Sequence, residues 1–111
     1  MTDHPAVTAV DTIAPELLDQ ARAHAARRAA RTLVSGTSQR ATLIALTEGA
    51  GMSDHDAPTA ATLYVVTGTV ELHTHDKKWL LNKGDLAVTP PQRHGLTAVT
   101  DTVVLLTVAL R

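Results

Sequence analysis

Two stretches of the sequence decide the fold: GAGMSDHDAPTAATLYVVTG at residues 49–68 and GDLAVTPPQRH at residues 84–94. Each stretch begins at a glycine, carries a short run rich in Thr, Val and Leu, and contains proline. β-Branched and aliphatic residues bounded by glycine and proline are typical of short strands that end in tight turns. The two stretches therefore predict a succession of short β-strands.

The same pattern extends over most of the remaining chain. Residues 69–72 and 78–81 flank a polar turn at residues 75–77, as in a β-hairpin. The last run, residues 102–110, is almost entirely apolar, which is typical of a strand covered on both faces. Further strands are predicted at residues 42–47 and 62–66. Many short strands without an intervening helical pattern indicate an all-β sandwich or barrel.

The N-terminal part has a different pattern, so we divide the chain into an arm with a helix at residues 1–30 and a β-barrel at residues 31–111. The tripeptide at residues 14–16, Ala-Pro-Glu, predicts a helix start because proline suits the first helical position and an acid suits the first turn. Apolar residues then follow at helical spacing: Leu18, Ala21, Ala25 and Ala29.

Composition bounds the function. A chain of 111 residues is one domain, and without cysteine it has neither disulfides nor thiolate metal ligands. Its net charge of −1 and its few aromatic residues, Tyr64 and Trp79, argue against nucleic-acid binding. No signal sequence and no apolar run of about 20 residues is visible, so we expect no membrane association and a cytoplasmic location.

The two stretches also carry a spaced set of glycines and histidines. In the first, the spacing is Gly-x5-His-x-Ala-x3-Ala-x6-Gly, and in the second a glycine is followed by Pro-Pro and a histidine. These patterns resemble the two motifs of the cupin superfamily, and the text around the first resembles a subgroup of small bacterial cupins. The positions concerned are Gly49, His55, Ala57, Ala61, Gly68, Gly84, Pro90, Pro91 and His94.

The resemblance implies an RmlC-like cupin β-barrel, that is, a double-stranded β-helix or jelly roll, preceded here by a short helix. It also implies a divalent transition metal (Fe, Mn, Ni or Zn) held by two His and a Glu of the first motif and a His of the second. His55 and His94 match the first and last of these ligand positions. Ala57 and Ala61 occupy the other two, so we expect a degenerate metal site in which His55 and His94 line a ligand pocket.

Several other aromatic and polar side chains are candidates for the pocket or are expected away from it. Tyr64 would face the barrel interior if strand alternation places its two neighbours outward, and it would then present a phenol to a ligand. The literal His-x-His at His73 and His75 is expected at a solvated hairpin tip. Trp79 is expected in the core or at an interface, and Arg40 is a candidate for the barrel mouth.

Two functions lead on the sequence, and a third class, a regulatory or structural protein that acts through a partner, also remains open. The first is a binding module that holds a small molecule in the barrel pocket beside an incomplete metal site. The alternative is a metal-dependent oxygenase or isomerase that uses His55 and His94, so whether the protein is an enzyme stays open. Because exposed sheet edges invite pairing, we also expect a homodimer in which residues 31–47 provide an edge strand.

Overall fold

The computed structural model describes residues 6–55 and 60–110, except for the side chains of residues 54 and 55. The described elements are one helix and a series of short strands. In chain order they are α1 (Val10–Ala23), β1 (Arg28–Ser35), β2 (Gln39–Leu46), β3 (Gly51–His55), β4 (Ala61–Thr67), β5 (Thr69–His73), β6 (Lys78–Asn82), β7 (Leu86–Val88), β8 (His94–Ala98) and β9 (Thr102–Ala109).

The strands form two antiparallel sheets packed face to face. One sheet has the order β1-β2-β9-β4-β7 and the other has the order β3-β8-β5-β6. The predicted hairpin is confirmed by the pairing of β5 with β6, and the apolar last run is the central strand β9 of the first sheet. Aliphatic side chains from both sheets fill the space between them, including the fully buried Leu63, Val65 and Val70. The predicted cupin-type β-barrel with a short N-terminal helix is confirmed.

Helix α1 packs on the outer face of the first sheet. Ala14, Leu17 and Ala21 form its buried stripe against Leu43 and Ala45 of β2. The prediction that the helix starts at Pro15 was wrong, because the helix begins at Val10 and contains that proline. Burial of the apolar stripe against the sheet stabilises the extra turn although the prolyl nitrogen has no hydrogen to donate. No described helix is long and apolar enough to cross a membrane.

The boundary between arm and barrel also differs from the prediction. Strand β1 starts at Arg28, inside the segment assigned to the arm, and it pairs with β2 along its whole length. Three residues of the barrel, residues 28–30, were therefore placed outside it. This shift matters because all three of them line the cleft described below.

The turn between β4 and β5 explains the glycine that closes the first motif. Gly68 has a φ of 87°, and a Cβ at this position would lie 2.2 Å from the carbonyl oxygen of Asp101. Only glycine adopts this conformation without strain and lets the two chain segments approach so closely. The turn holds the end of β4 against the start of β9, and so fixes the strand that carries the central motif positions.

Candidate functional site

His94 lies inside the barrel at the start of β8. Its side chain is buried, and its Nδ1 lies 2.9 Å from the carbonyl oxygen of Gln92. Because a carbonyl can only accept a hydrogen bond, Nδ1 carries the proton and donates it, and the lone pair of the neutral ring is on Nε2. The backbone two residues away therefore fixes both the orientation and the tautomer of this histidine.

His55 is brought next to His94 by the sheet. Residue 55 ends β3 and is the register partner of residue 94 across the β3–β8 pair. The two motif histidines, 39 positions apart in the chain, thus lie opposite one another in the backbone. The side chain of His55 lies outside the described part of the structure, as does the whole of Ala57.

The position that the resemblance assigns to a glutamate faces the barrel interior. Ala61 is buried at the start of β4, and burial alternates along the strand so that Leu63 and Val65 share its face. A side chain longer than alanine at residue 61 would point between the sheets. The alanine contributes no ligand there.

The space around His94 is small. We call the cavity lined by His94 and by aliphatic residues between the sheets the inner pocket, and its volume is about 20 Å³. A cavity must offer roughly 10–15 Å³ to hold one water molecule, so the inner pocket has room for little more than a single water. Its described lining consists of Ile44, Met52, Leu63, Leu72, Thr89, His94, Leu96 and Leu106.

A much larger cleft opens outward from the inner pocket. We call it the mouth cleft; its volume is about 810 Å³, and it shares Ile44, Met52 and Leu106 with the inner pocket. The described polar residues of its wall are Gln20, His24, Arg28, Arg40, Thr42 and Ser53. The described apolar residues of its wall are Ala29, Ala30, Ile44, Met52, Leu106 and Val108. The mouth cleft combines room, an aliphatic floor and a rim of polar groups.

Tyr64 is not in either cavity, so the prediction that it lines the barrel pocket was wrong. It is 41% exposed on β4, whereas its neighbours Leu63 and Val65 are buried between the sheets. Alternation along the strand therefore places the phenol on the outer face, beside a separate cleft of about 570 Å³ next to α1.

The His-x-His pair occupies the outer side of the second sheet. His75 is exposed in the hairpin turn, as expected, but His73 belongs to β5 and is half-buried. A ring nitrogen of His73, Nε2, lies 3.3 Å from Thr97 Oγ1 of the neighbouring strand, which indicates a structural hydrogen bond. Trp79 lies on β6, an edge strand of the second sheet, and is 41% exposed. It borders a small apolar cleft of about 180 Å³ that is also lined by Ala87 and Val88 of β7, an edge strand of the first sheet.

The described residues do not fit a cupin metal centre. Among them there is no group of three or more His, Asp or Glu side chains close enough to hold a metal ion. The tautomer of His94 would suit a metal on Nε2, but the carboxylate position is Ala61 and the pocket is nearly filled. We therefore derive no reaction step through a metal.

Sequence reasoning anticipated Arg40 at the barrel mouth but missed its neighbours in the cleft. Arg28 was placed in the arm, and Gln20 and His24 were not associated with the barrel. The sequence offers no clear signal for this start of β1, because residues 28–33, Arg-Ala-Ala-Arg-Thr-Leu, do not alternate between polar and apolar types. The alternation of exposed and half-buried side chains along β1 is seen only in the structure.

The fold and the two motif segments agree with a match to a protein family. Residues 42–109 match the family model of the cupin domain. The chain belongs to the cupin family. No curated protein matches the sequence significantly.

Several solved cupin structures are similar to this one. A conserved Streptococcus pyogenes protein of unknown function has a TM-score of 0.71 and 25% identity, with 79% of this chain and 78% of that chain covered. An RmlC-like cupin from Desulfovibrio desulfuricans also has a TM-score of 0.71, at 23% identity, with 99% and 97% covered. A variant of salicylate 1,2-dioxygenase from Pseudoaminobacter salicylatoxidans has a TM-score of 0.71 and 19% identity, but this chain spans only 32% of it. The latter two likenesses concern the fold alone.

Proposed function

We propose that this cupin is a binding module that holds a small, partly apolar molecule in the mouth cleft. The observation that carries the proposal is the cleft itself: about 810 Å³ bounded by aliphatic side chains and a few polar groups. Small-molecule sites are typically concave, about 300–1,000 Å³ in volume, and mostly apolar with a few polar groups that orient the ligand. The inner pocket, at about 20 Å³, is too small for an organic ligand.

A cleft-filling substitution tests this proposal. Ala30 is exposed on β1 and lines the mouth cleft, so Ala30→Trp would place an indole where the ligand lies. Ala25 is exposed in the turn after α1 and is not part of the described lining, so Ala25→Trp is the matched control. We expect a fragment library, screened by ligand-observed NMR, to give binders of the wild type that Ala30→Trp loses and Ala25→Trp keeps. Binders unaffected by Ala30→Trp, or no binders at all, would overturn the proposal.

The second candidate function is a metal-dependent oxygenase or isomerase. The observation in its favour is the backbone register that pairs residue 55 with residue 94. Its test is the metal content of untagged protein, measured by plasma mass spectrometry together with Fe(II) and Mn(II) titrations. About one equivalent of tightly bound metal would place this candidate ahead of the binding module, and a metal-free protein with weak titrations would leave the binding module in place.

We also propose that two copies of the chain associate through β1. This strand is the longest of the four sheet edges, with eight residues against three in β7 and five each in β3 and β6. Long exposed edges favour pairing with another strand, and a second copy supplies an identical edge related by two-fold symmetry. The edge also exposes an apolar side chain, Val34.

Light scattering at micromolar concentration measures this association. We expect the mass of a dimer for the wild type, and a mass closer to the monomer for Val34→Arg, because the substitution places a charge in the interface. Val99 has the same exposure, 46%, but lies in the turn after β8, so Val99→Arg is the control and should remain dimeric. A monomer mass for the wild type would contradict the proposal.

A further inference from the structure

Two arginines stand at opposite ends of the mouth cleft. Arg28 is the register partner of Leu46, and Arg40 lies six residues before Leu46 on β2. At about 3.3 Å per residue, this separation corresponds to about 20 Å along the strand. Both side chains line the cleft, so the cleft runs along β2 with a guanidinium group at each end.

Neither arginine is neutralised by a carboxylate within the described residues. The ion pairs found there, with Asp19 and Asp101, are both made by Arg22. The described lining of the cleft contains no Asp or Glu. Arg28 donates from Nη1 to the carbonyl oxygen of Gly51 at 3.0 Å, which uses one of the five N–H donors of a guanidinium and fixes the group at the cleft. Both ends of the cleft therefore carry positive charge available to a ligand.

The end near Arg28 has a further donor. His24 Nδ1 accepts a hydrogen bond from the backbone N–H of Ala26 at 3.0 Å. In the neutral ring the proton is then on Nε2, so this histidine presents a donor in addition to the arginine. The amide of Gln20 lines the same wall. The polar groups at this end are suited to an acceptor with several lone pairs, such as an oxyanion.

The middle of the cleft is apolar. Ile44 of β2 and Leu106 of β9, the register partner of Thr42, lie between the two charged ends. Val108 is the partner of Arg40 and extends the apolar surface to that end, and Met52 adds to it from β3. An aliphatic segment would bury apolar surface on this floor, at roughly 25 cal/mol per Å². A ligand that matches the whole cleft has two charged ends and an apolar spacer.

We propose that the mouth cleft binds an elongated organic dianion whose two oxyanion groups are joined by an apolar chain. One oxyanion is held by Arg28 with the His24 Nε2–H, and the other is held by Arg40. Arginine is suited to this role because its planar fork binds carboxylate or phosphate oxygens in a bidentate manner. This inference rests on the proposed function and names the ligand class of the same site.

The experiment compares probes of equal length in isothermal titration calorimetry. The probes are heptanedioate, heptanoate and heptane-1,7-diol. Propane-1,3-diyl bisphosphate, whose two acid groups are as many bonds apart as those of heptanedioate, distinguishes carboxylate from phosphate ends. Because hydrogen bonds to a charged group contribute more than neutral ones, we expect the diacid to bind at least tenfold more tightly than the monoacid. A series of diacids from glutarate to sebacate should show an optimum length set by the distance between the two arginines. A tighter bisphosphate would assign phosphate ends to the natural ligand.

Charge-removing variants locate the two ends. Arg40→Gln and Arg28→Gln should each reduce diacid affinity about tenfold, to the level of the monoacid. Arg31→Gln is the control, because Arg31 lies on the same strand but is not part of the described lining. Equal affinity for diacid, monoacid and diol, lost in Ala30→Trp, would overturn the dianion inference and leave the proposed function standing. Absence of every probe and every fragment from the cleft would overturn both.

Discussion

The inner pocket and the mouth cleft of this cupin differ in the two features that a binding site needs, a reactive side chain and room for a ligand. The inner pocket contains the motif histidine His94 but offers about 20 Å³ in a nearly aliphatic lining. The mouth cleft offers about 810 Å³ and carries two arginines, but none of its described lining residues belongs to the metal-ligand positions of the motifs. The comparison shows that the motif histidine His94 and the room of the mouth cleft are in different places, whereas the motif residues Ala61, Pro90 and Pro91 line a separate cleft of about 530 Å³.

Packing explains the difference. The chain has no phenylalanine, so its core is filled by Leu, Ile and Val side chains from both sheets. Ala61 offers only a methyl group at the position that the resemblance assigns to a glutamate, and aliphatic side chains fill most of the space around His94. The mouth, in contrast, receives side chains from β1 and α1, which precede residues 42–109, the part of the chain that matches the cupin family model, and can supply a different chemistry.

The largest expected effect is on the free energy of unfolding, where substitutions in the inner pocket and in the mouth cleft should differ. Leu63 is 1% exposed and lines the inner pocket, so Leu63→Ala should lower the free energy of unfolding by about 2–5 kcal/mol. Arg40→Gln at the mouth should change it by no more than about 0.5 kcal/mol, because the residue is exposed. Urea denaturation followed by circular dichroism measures both changes.

A matched leucine controls for the loss of a side chain. Leu80 is 62% exposed on β6, so Leu80→Ala should leave stability within about 0.5 kcal/mol of the wild type. If Leu63→Ala cost as little as Leu80→Ala, the inner pocket would be more open than its volume indicates. If Arg40→Gln cost as much as Leu63→Ala, the mouth cleft would be a structural element and not a ligand surface.

The second prediction concerns metal binding, which two substitutions should restore beside His94. Ala61 faces inward, so the double variant Ala57→His with Ala61→Glu should add an imidazole and a carboxylate to His55 and His94. Nitrogen and carboxylate ligands favour first-row divalent metals, and we expect Mn(II) affinity at least tenfold above that of the wild type. Overpacking should cost roughly 1–3 kcal/mol of stability. Calorimetric titration measures the affinity.

The control moves the carboxylate by one residue. Thr62 follows Ala61 on β4 and belongs to the opposite face, so Ala57→His with Thr62→Glu should gain no Mn(II) affinity. Equal gains in both double variants would mean that the carboxylate acts from the surface. A folded Ala57→His, Ala61→Glu protein without any gain would show that the motif positions do not converge.

The sequence predicted the barrel because the glycines and prolines that end its short strands are local signals, directly visible in the sequence. It could not give the face of Tyr64, because β4 is apolar toward the other sheet and also partly covered by α1 on its outer side. When both faces of a strand carry apolar residues, alternation alone does not tell which set is inside. The phase is set by tertiary contacts, in this case by the pairing of Leu63 with Leu106 in the interior.

The polar rim was difficult to predict for a different reason. Arg28 and Arg40 are 12 positions apart in the chain and are assigned to one cleft only once the β1–β2 register is known. His24 and Gln20 reach the same cleft because α1 packs across the sheet, which depends on long-range burial of Leu17 and Ala21. The spacing of the two motifs predicts only which residues of the motif strands lie close together. It carries no information on side chains that a helix outside the motifs contributes.

The smallest expected effect lies outside both cavities, at a carboxylate that joins three segments of the chain. Asp101 Oδ1 accepts a hydrogen bond from the backbone N–H of Glu48 at 2.8 Å, and Oδ2 accepts one from Arg22 Nη2 at 3.0 Å. The bond from Glu48, followed by the contact with Arg22, lowers the pKa of Asp101 below its usual value. The group connects α1 to the turns before β3 and β9, so it tests whether the frame around the two cavities depends on charge.

The sign of the pH dependence follows from the lowered pKa. A carboxyl group whose pKa is lower in the folded state stabilises the fold above its unfolded pKa of about 3.9, and this contribution disappears as the pH falls through the folded value. We therefore expect Asp101→Asn to be less stable than the wild type at pH 7 and the difference to shrink below about pH 4, as measured by urea denaturation at a series of pH values. Asp19→Asn removes only the exposed pair with Arg22 and should have little effect at any pH. A difference between wild type and Asp101→Asn that stayed constant from pH 7 to about pH 2 would show that the side chain acts through neutral hydrogen bonding and not through its charge.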